Sequence, residues 1–178
     1  SISTTGMAAL SGGRLTALST TQLAALTATQ IGALAASDVS GLSTTQLRSL
    51  STSGIGGLEA EDIAGLSTTQ VQSLLSAQVA AFSTTAVRNL TVAEVGALTS
   101  TQFASLTAAQ IGALSTTQMS AFSATQINGF TTTQASGLSV AQVESLAATT
   151  VAGLDATHIA ALSVTAVGGL SAGQVTAL

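Results

Sequence analysis

The sequence predicts an all-α solenoid of short capped helices. Three observations carry that expectation: an eight-residue repeat with no insertion, a helix-capping signature at one fixed place in the repeat, and an apolar pair three residues apart in every copy but one. Cut from Ser3, residues 3–178 divide into 22 octads, from "STTGMAAL" to "SAGQVTAL". Self-similarity at a fixed short period is the signature of a repeat architecture. No linker or composition shift interrupts it, so residues 1–178 read as a single repeat array.

With the octad positions labelled a to h, each part of the expected helix follows in order. Position a is Ser or Thr in seventeen octads and Asp155 in another, the residue types that serve as N-caps. Position d is Gln in twelve. Ser/Thr-x-x-Gln is a capping box, in which the hydroxyl accepts from the N3 amide and the N3 side chain accepts from the cap's own N–H. Position e is a large apolar residue in every octad except the one holding Ala135; h is Leu in nineteen and Phe at Phe82, Phe122 and Phe130. With a as N-cap, h of the preceding octad and e form the hydrophobic staple. Position g is Ala, Gly or Ser except at Asn89, small enough for backbones to approach closely, whereas f, as at Gly112, reads as exposed and tolerant of Ala. Six of seven acids (Asp38, Glu59, Glu61, Asp62, Glu94, Asp155) fall in the first turn, and Arg48 and Arg88 in the last. That is the sign order the helix dipole favours.

Helices this short are unstable alone, so octads must stack on one another, as in a solenoid. Position c is Ser or Thr in all odd-numbered octads and mixed in even ones. This alternation predicts a rung of two unlike octads, 16 residues, giving eleven rungs in the chain. One continuous helix is excluded, because an e/h stripe would rotate by about 80° per octad. A β or mixed solenoid remains the alternative, since Thr and Val favour strands; the three-residue spacing of e and h argues for helices.

Composition excludes several functions. The chain has three Arg, no Lys and a net charge of −4, which offers no electrostatic footprint for nucleic acid or for an anionic membrane surface. No apolar run approaches a membrane span. Without Cys there is neither a disulfide nor a thiolate metal site. The opening "SISTTGMAAL" does not read as a signal peptide.

Candidates for chemistry are few. His158 is the only imidazole and sits at d, where a solvated or capping role is expected. The "EAED" cluster at 59–62 lacks the spacing of a calcium loop, and the helix dipole accounts for its acids. The glycines at 11–13, 56–57 and 168–169 lack the Lys of a phosphate loop and read as helix ends and turns. The Phe residues read as core. We therefore expect no catalytic, cofactor-binding or metal-ligating residue, no cofactor and no enzyme activity. What remains is a hydroxyl-rich surface from odd octads, including Thr69 and Thr85, repeated once per rung.

The words "LSTTQ" (18–22, 42–46, 66–70, 114–118) and "AAQIGAL" (108–114) carry a resemblance. The chain resembles the short Ser/Thr/Gln/Ala/Leu repeat regions of very large secreted or surface-anchored bacterial proteins, some adhesin-like. That resemblance implies an extracellular or cell-surface stalk, matrix or filament, and it carries no functional residues with it. The acidic Gly-Asp nonapeptides that accompany such proteins are missing. The expected function is a structural repeat module; the alternative is a binding module whose Ser/Thr face recognises ice or glycans. Neither "SISTTGMAAL" nor "SAGQVTAL" resembles a polar end cap, so self-association with further copies of the repeat is expected.

Overall fold

The computed structural model describes residue 6 and residues 13–178. The first octad as a capped unit, and Ser11 and Gly12 of the first glycine cluster, lie outside these. The chain forms two compact units, Ser1–Leu90 and Thr91–Leu178, and the boundary falls between position h of one octad and position a of the next. The architecture is all-α. Apart from a 3₁₀ turn at Leu15–Ala17, each octad from Ser19 onward folds as one α-helix of four to six residues, and no strand occurs among the described residues.

Position a marks where each of these α-helices starts, with a side-chain cap at most of them and none at Ala35 and Ala147. Their N-caps fall on position a with extended backbone, as at Ser43 (φ −65°, ψ 159°) and Thr107 (φ −75°, ψ 159°). Ser43 Oγ accepts from Gln46 N–H at 3.3 Å while Gln46 Oε1 accepts from Ser43 N–H at 3.1 Å. Leu75 keeps only the reverse half, its N–H donating to Gln78 Oε1 at 2.8 Å. Helices end in right-handed or extended residues, and the one positive φ among the described residues is that of Gly13 (87°). Gly57 and Gly169 therefore do not sit at helix ends for a left-handed conformation. Their use is spatial.

Within each unit the helices stack at a lag of three octads. In Ser1–Leu90, Thr20–Ala24 packs on Thr44–Ser49, and that on Thr68–Ser73; Ala28–Ile31 packs on Thr52–Ile55, and that on Ser76–Ala80; Ala36–Ser40 packs on Ala60–Ala64, and that on Thr84–Asn89. In Thr91–Leu178, Val92–Ala97, Thr116–Met119, Val140–Ser145 and Val164–Gly168 form one column, and Ser100–Ala104, Ala124–Asn128, Ala148–Val151 and Ala172–Ala177 a second. The third column holds Ala108–Ala113, Thr132–Ser136 and Ala156–Ala161. Each unit is thus a helical solenoid with three octads per turn. The expected 16-residue rung does not form; the turn is 24 residues. Each octad couples a helix of about one turn to an extended corner, and three such corners bring the chain back over itself. Because three is odd, every column alternates odd and even octads, and the odd–even pattern at c has no counterpart in the packing.

Positions e and h fill the interior of each coil. Val39, Leu47, Ile63, Val71, Ile111, Met119 and Ile127 at e are fully buried, and Leu or Phe at h is nearly so from Leu42 to Leu162. Phe103 stacks on Phe130 with ring centroids 5.0 Å apart and meets Phe122 at 4.5 Å, tilted by 57°. Aromatic pairs favour such offset and tilted arrangements. Position g lies against the preceding turn, as its small side chains predict. A Cβ on Gly57 would fall on the Ala28 backbone, 2.6 Å from its Cα, and one on Gly137 would lie 2.7 Å from the Ala108 carbonyl oxygen. Position f is less free than expected. Gly112 is exposed, yet a Cβ there would approach the Gly137 carbonyl oxygen to 3.1 Å, so Ala at Gly112 is crowded rather than neutral.

Candidate functional site

The most regular chemical feature of the molecule is a ladder of amides at position d. The Oε1 of each boxed Gln is held by its own helix cap, which leaves Nε2 pointing at the turn below. Gln78 Nε2 donates to the carbonyls of Leu47 (2.9 Å) and Leu50 (2.8 Å). Gln142 Nε2 reaches Ile111 and Leu114, both at 2.8 Å, and Gln174 Nε2 reaches Val143 and Leu146, both at 2.8 Å. Gln46, Gln70, Gln126 and Gln134 repeat the pattern. Each such Gln satisfies the last carbonyls of an octad four back, so one side chain caps its own helix and ties two turns together. Gln78, Gln134 and Gln142 are at most 2% exposed, and buried backbone carbonyls need such partners. Sequence reasoning found the box and missed the tie. The signal was available: "LSTTQ" recurs at 18, 42 and 66, a spacing of 24.

His158 is part of this ladder. Its Nε2 lies 2.6 Å from the Phe130 carbonyl, 28 residues back, where Gln would place its amide. Its Nδ1 lies 2.7 Å from Asp155 Oδ1. The side chain is only 13% exposed, so of the expected solvated or capping roles the solvated one is corrected: the ring meets a carbonyl of the turn below and ties two turns together. The Asp155 carboxyl titrates below its ordinary range, chiefly because it accepts from the His158 backbone N–H.

The "EAED" cluster does not converge. Glu59 and Glu61 are exposed, while Asp62 is buried and accepts from Glu59 N–H at 2.8 Å. Burial pushes the Asp62 carboxyl above its ordinary range, and the Glu59 and Glu61 charges add to the rise. Among the described residues no three His, Cys, Asp or Glu side chains gather as metal ligands. No helix among them is long and apolar enough to cross a membrane.

The hydroxyl surface is real but differently arranged. Position c is exposed in every described octad. Thr69 and Thr85, however, belong to helices in different columns, Thr68–Ser73 and Thr84–Asn89, so odd octads do not build one face. The column Thr20–Ala24, Thr44–Ser49, Thr68–Ser73 instead aligns three Thr-Thr pairs: Thr20 and Thr21, Thr44 and Thr45, Thr68 and Thr69.

A family model described as the ALTTAQ repeat matches residues 33–68, 55–92 and 76–108. Over this stretch the chain is similar to the ALTTAQ repeat. No curated protein and no solved structure matches the chain.

Proposed function

We propose that the chain is a non-enzymatic structural repeat module: an extracellular or cell-surface stalk, matrix or filament-forming segment whose partners are further copies of the same repeat. The amide ladder carries this reading. The long polar side chain that recurs in every turn is committed to caps and to carbonyls of the turn below, so the most regular chemistry in the molecule serves its own continuation. The bacterial and adhesin-like setting is part of the same proposal and rests on the "LSTTQ" words. Duplicating or removing one 24-residue turn tests it. The maximum dimension from X-ray scattering should change by roughly 8–10 Å per turn, one helix spacing, with stability per turn unchanged. A dimension that does not follow the number of turns would overturn the stalk reading.

The aligned Thr-Thr pairs favour a second reading, a surface that recognises ice or glycans. Thermal hysteresis or glycan binding that disappears on Thr45→Lys plus Thr69→Lys would support it, and absence of both activities in the parent chain removes it.

A further inference from the structure

We propose that Asn89 is an acceptor site for N-linked glycosylation, taking a sugar from a glycosyl diphosphate donor. The proposal rests on the extracellular or cell-surface setting put forward above, where chains carry such glycans. Asn89 is the one residue at position g that is not Ala, Gly or Ser. Position a of the next octad follows g by two residues and is Ser or Thr in seventeen octads, while h between them is Leu or Phe and never Pro. An Asn at g therefore creates Asn-x-Ser/Thr, the acceptor pattern of N-glycosylation. The chain holds two Asn. Asn89 begins Asn89-Leu90-Thr91, whereas Asn128, at f, is followed by Gly129 and Phe130 and makes no such pattern.

The fold presents this sequence to solvent. Asn89 is the last residue of the helix Thr84–Asn89, and Leu90 (φ −58°, ψ 134°) and Thr91 (φ −68°, ψ 160°) have left the helical range. Leu90 is 3% exposed and anchors the segment in the core, while Asn89 and Thr91 on either side of it are exposed. At Gly57 and Gly137 position g is pressed on the turn below; at Asn89 it is open. Asn89 Nδ2 donates to the Thr85 carbonyl at 2.9 Å. An amide nitrogen carries two hydrogens, so this bond leaves one to be replaced. Thr91 Oγ1 accepts from Glu94 N–H at 3.2 Å, and a hydroxyl that accepts a bond keeps its own O–H to present. In the transfer, Asn89 Nδ2 forms a bond to the anomeric carbon of the sugar. The bond from that carbon to the diphosphate oxygen breaks, the diphosphate leaves with the electron pair, and Nδ2 gives up one proton. The product is an uncharged amide with one N–H. A hydrated glycan at this point adds solubility to a chain in which only 6% of residues are charged.

Two preparations of the whole chain test the proposal, read by intact-mass and fragment-ion mass spectrometry. One is secreted by cells that transfer lipid-linked oligosaccharide diphosphates. The other, purified and folded, is incubated with a nucleotide-sugar-dependent asparagine glycosyltransferase and its donor. A glycan on Asn89 in either supports the proposal, and the preparation that carries it identifies the donor as lipid-linked or as a nucleotide sugar. Modification should disappear in Asn89→Gln, persist in Thr91→Ser and disappear in Thr91→Asn. The last variant keeps a residue type that caps helices and removes the hydroxyl that the acceptor pattern needs. Its circular dichroism should match the parent's, so loss of the glycan is not loss of the fold. An Asn89 that stays bare in both preparations, while a peptide holding Asn-Leu-Thr is modified in each, overturns the proposal. A glycan that survives Thr91→Asn overturns it equally. Either failure leaves the turn-counting test of the structural reading untouched.

Discussion

At the scale of single residues, position d decides how much each octad contributes. Gln suits it because one end accepts from the cap and the other donates to the turn below, and no carboxylate can do the second. Asp62 is the clearest departure: it completes the cap at Glu59 but is 3% exposed and has no N–H to offer the carbonyls beneath it. Its carboxyl is raised, first by burial, so the folded chain holds that proton more tightly than the unfolded one. This contribution to stability is fully present below the unfolded value near 3.8 and is lost as pH rises through the folded value. Asp62→Gln should therefore raise the urea midpoint at pH 7, with the advantage over the parent shrinking towards pH 3. A midpoint difference independent of pH would show that the charge of Asp62 is immaterial. His158 was visible in the sequence as an outlier in a Gln column, but its role depends on Phe130, 28 residues back, a distance that only the turn length could supply.

At the scale of the helix, the sequence was most legible where the causes are local. Caps, staples, the acid Glu94 in the first turn of its helix and the base Arg88 in the last turn of its own each depend on one helix and the residues beside it, so their geometry follows from residue type and spacing. Small residues at g were also readable, but the partner of each was not, because Ala28 meets Gly57 and Ala108 meets Gly137 across a whole turn. Crowding at f was missed for the same reason. Gly137→Ala should destabilise by about 1–3 kcal/mol, since its Cβ would press on the Ala108 carbonyl and nothing flexible can yield. Gly168, at the end of Val164–Gly168, has nothing within 4 Å of a Cβ; Gly168→Ala should stabilise by about 0.4–1 kcal/mol through the unfolded chain. Denaturant melts of the two variants compare them directly, and equal tolerance would mean that g is not at the contact between turns.

At the scale of the whole molecule, the all-α solenoid was readable from the octad, whereas its period was not read correctly. The odd–even contrasts at c and d, with Gly54, Ala86 and Ala166 at d of odd octads, suggested two octads per turn, yet c is exposed and every column alternates odd and even octads. The quieter 24-residue spacing of "LSTTQ" tracked the columns, because it concerns a and d, the positions that make bonds. A cysteine pair can choose between the two periods in solution, in a chain that has no cysteine of its own. A Cβ built on Gly96 lies 3.9 Å from the Ala121 Cβ, three octads on, inside the range a disulfide requires. Gly96→Cys with Ala121→Cys should oxidise readily. Closing a loop of this length should stabilise by about 3 kcal/mol, lost on adding reductant. Gly96→Cys with Ala113→Cys is the pair that a two-octad rung would bring together, and it should stay reduced. Oxidation of the second pair but not the first would restore the 16-residue rung and undo the columns and the ladder together.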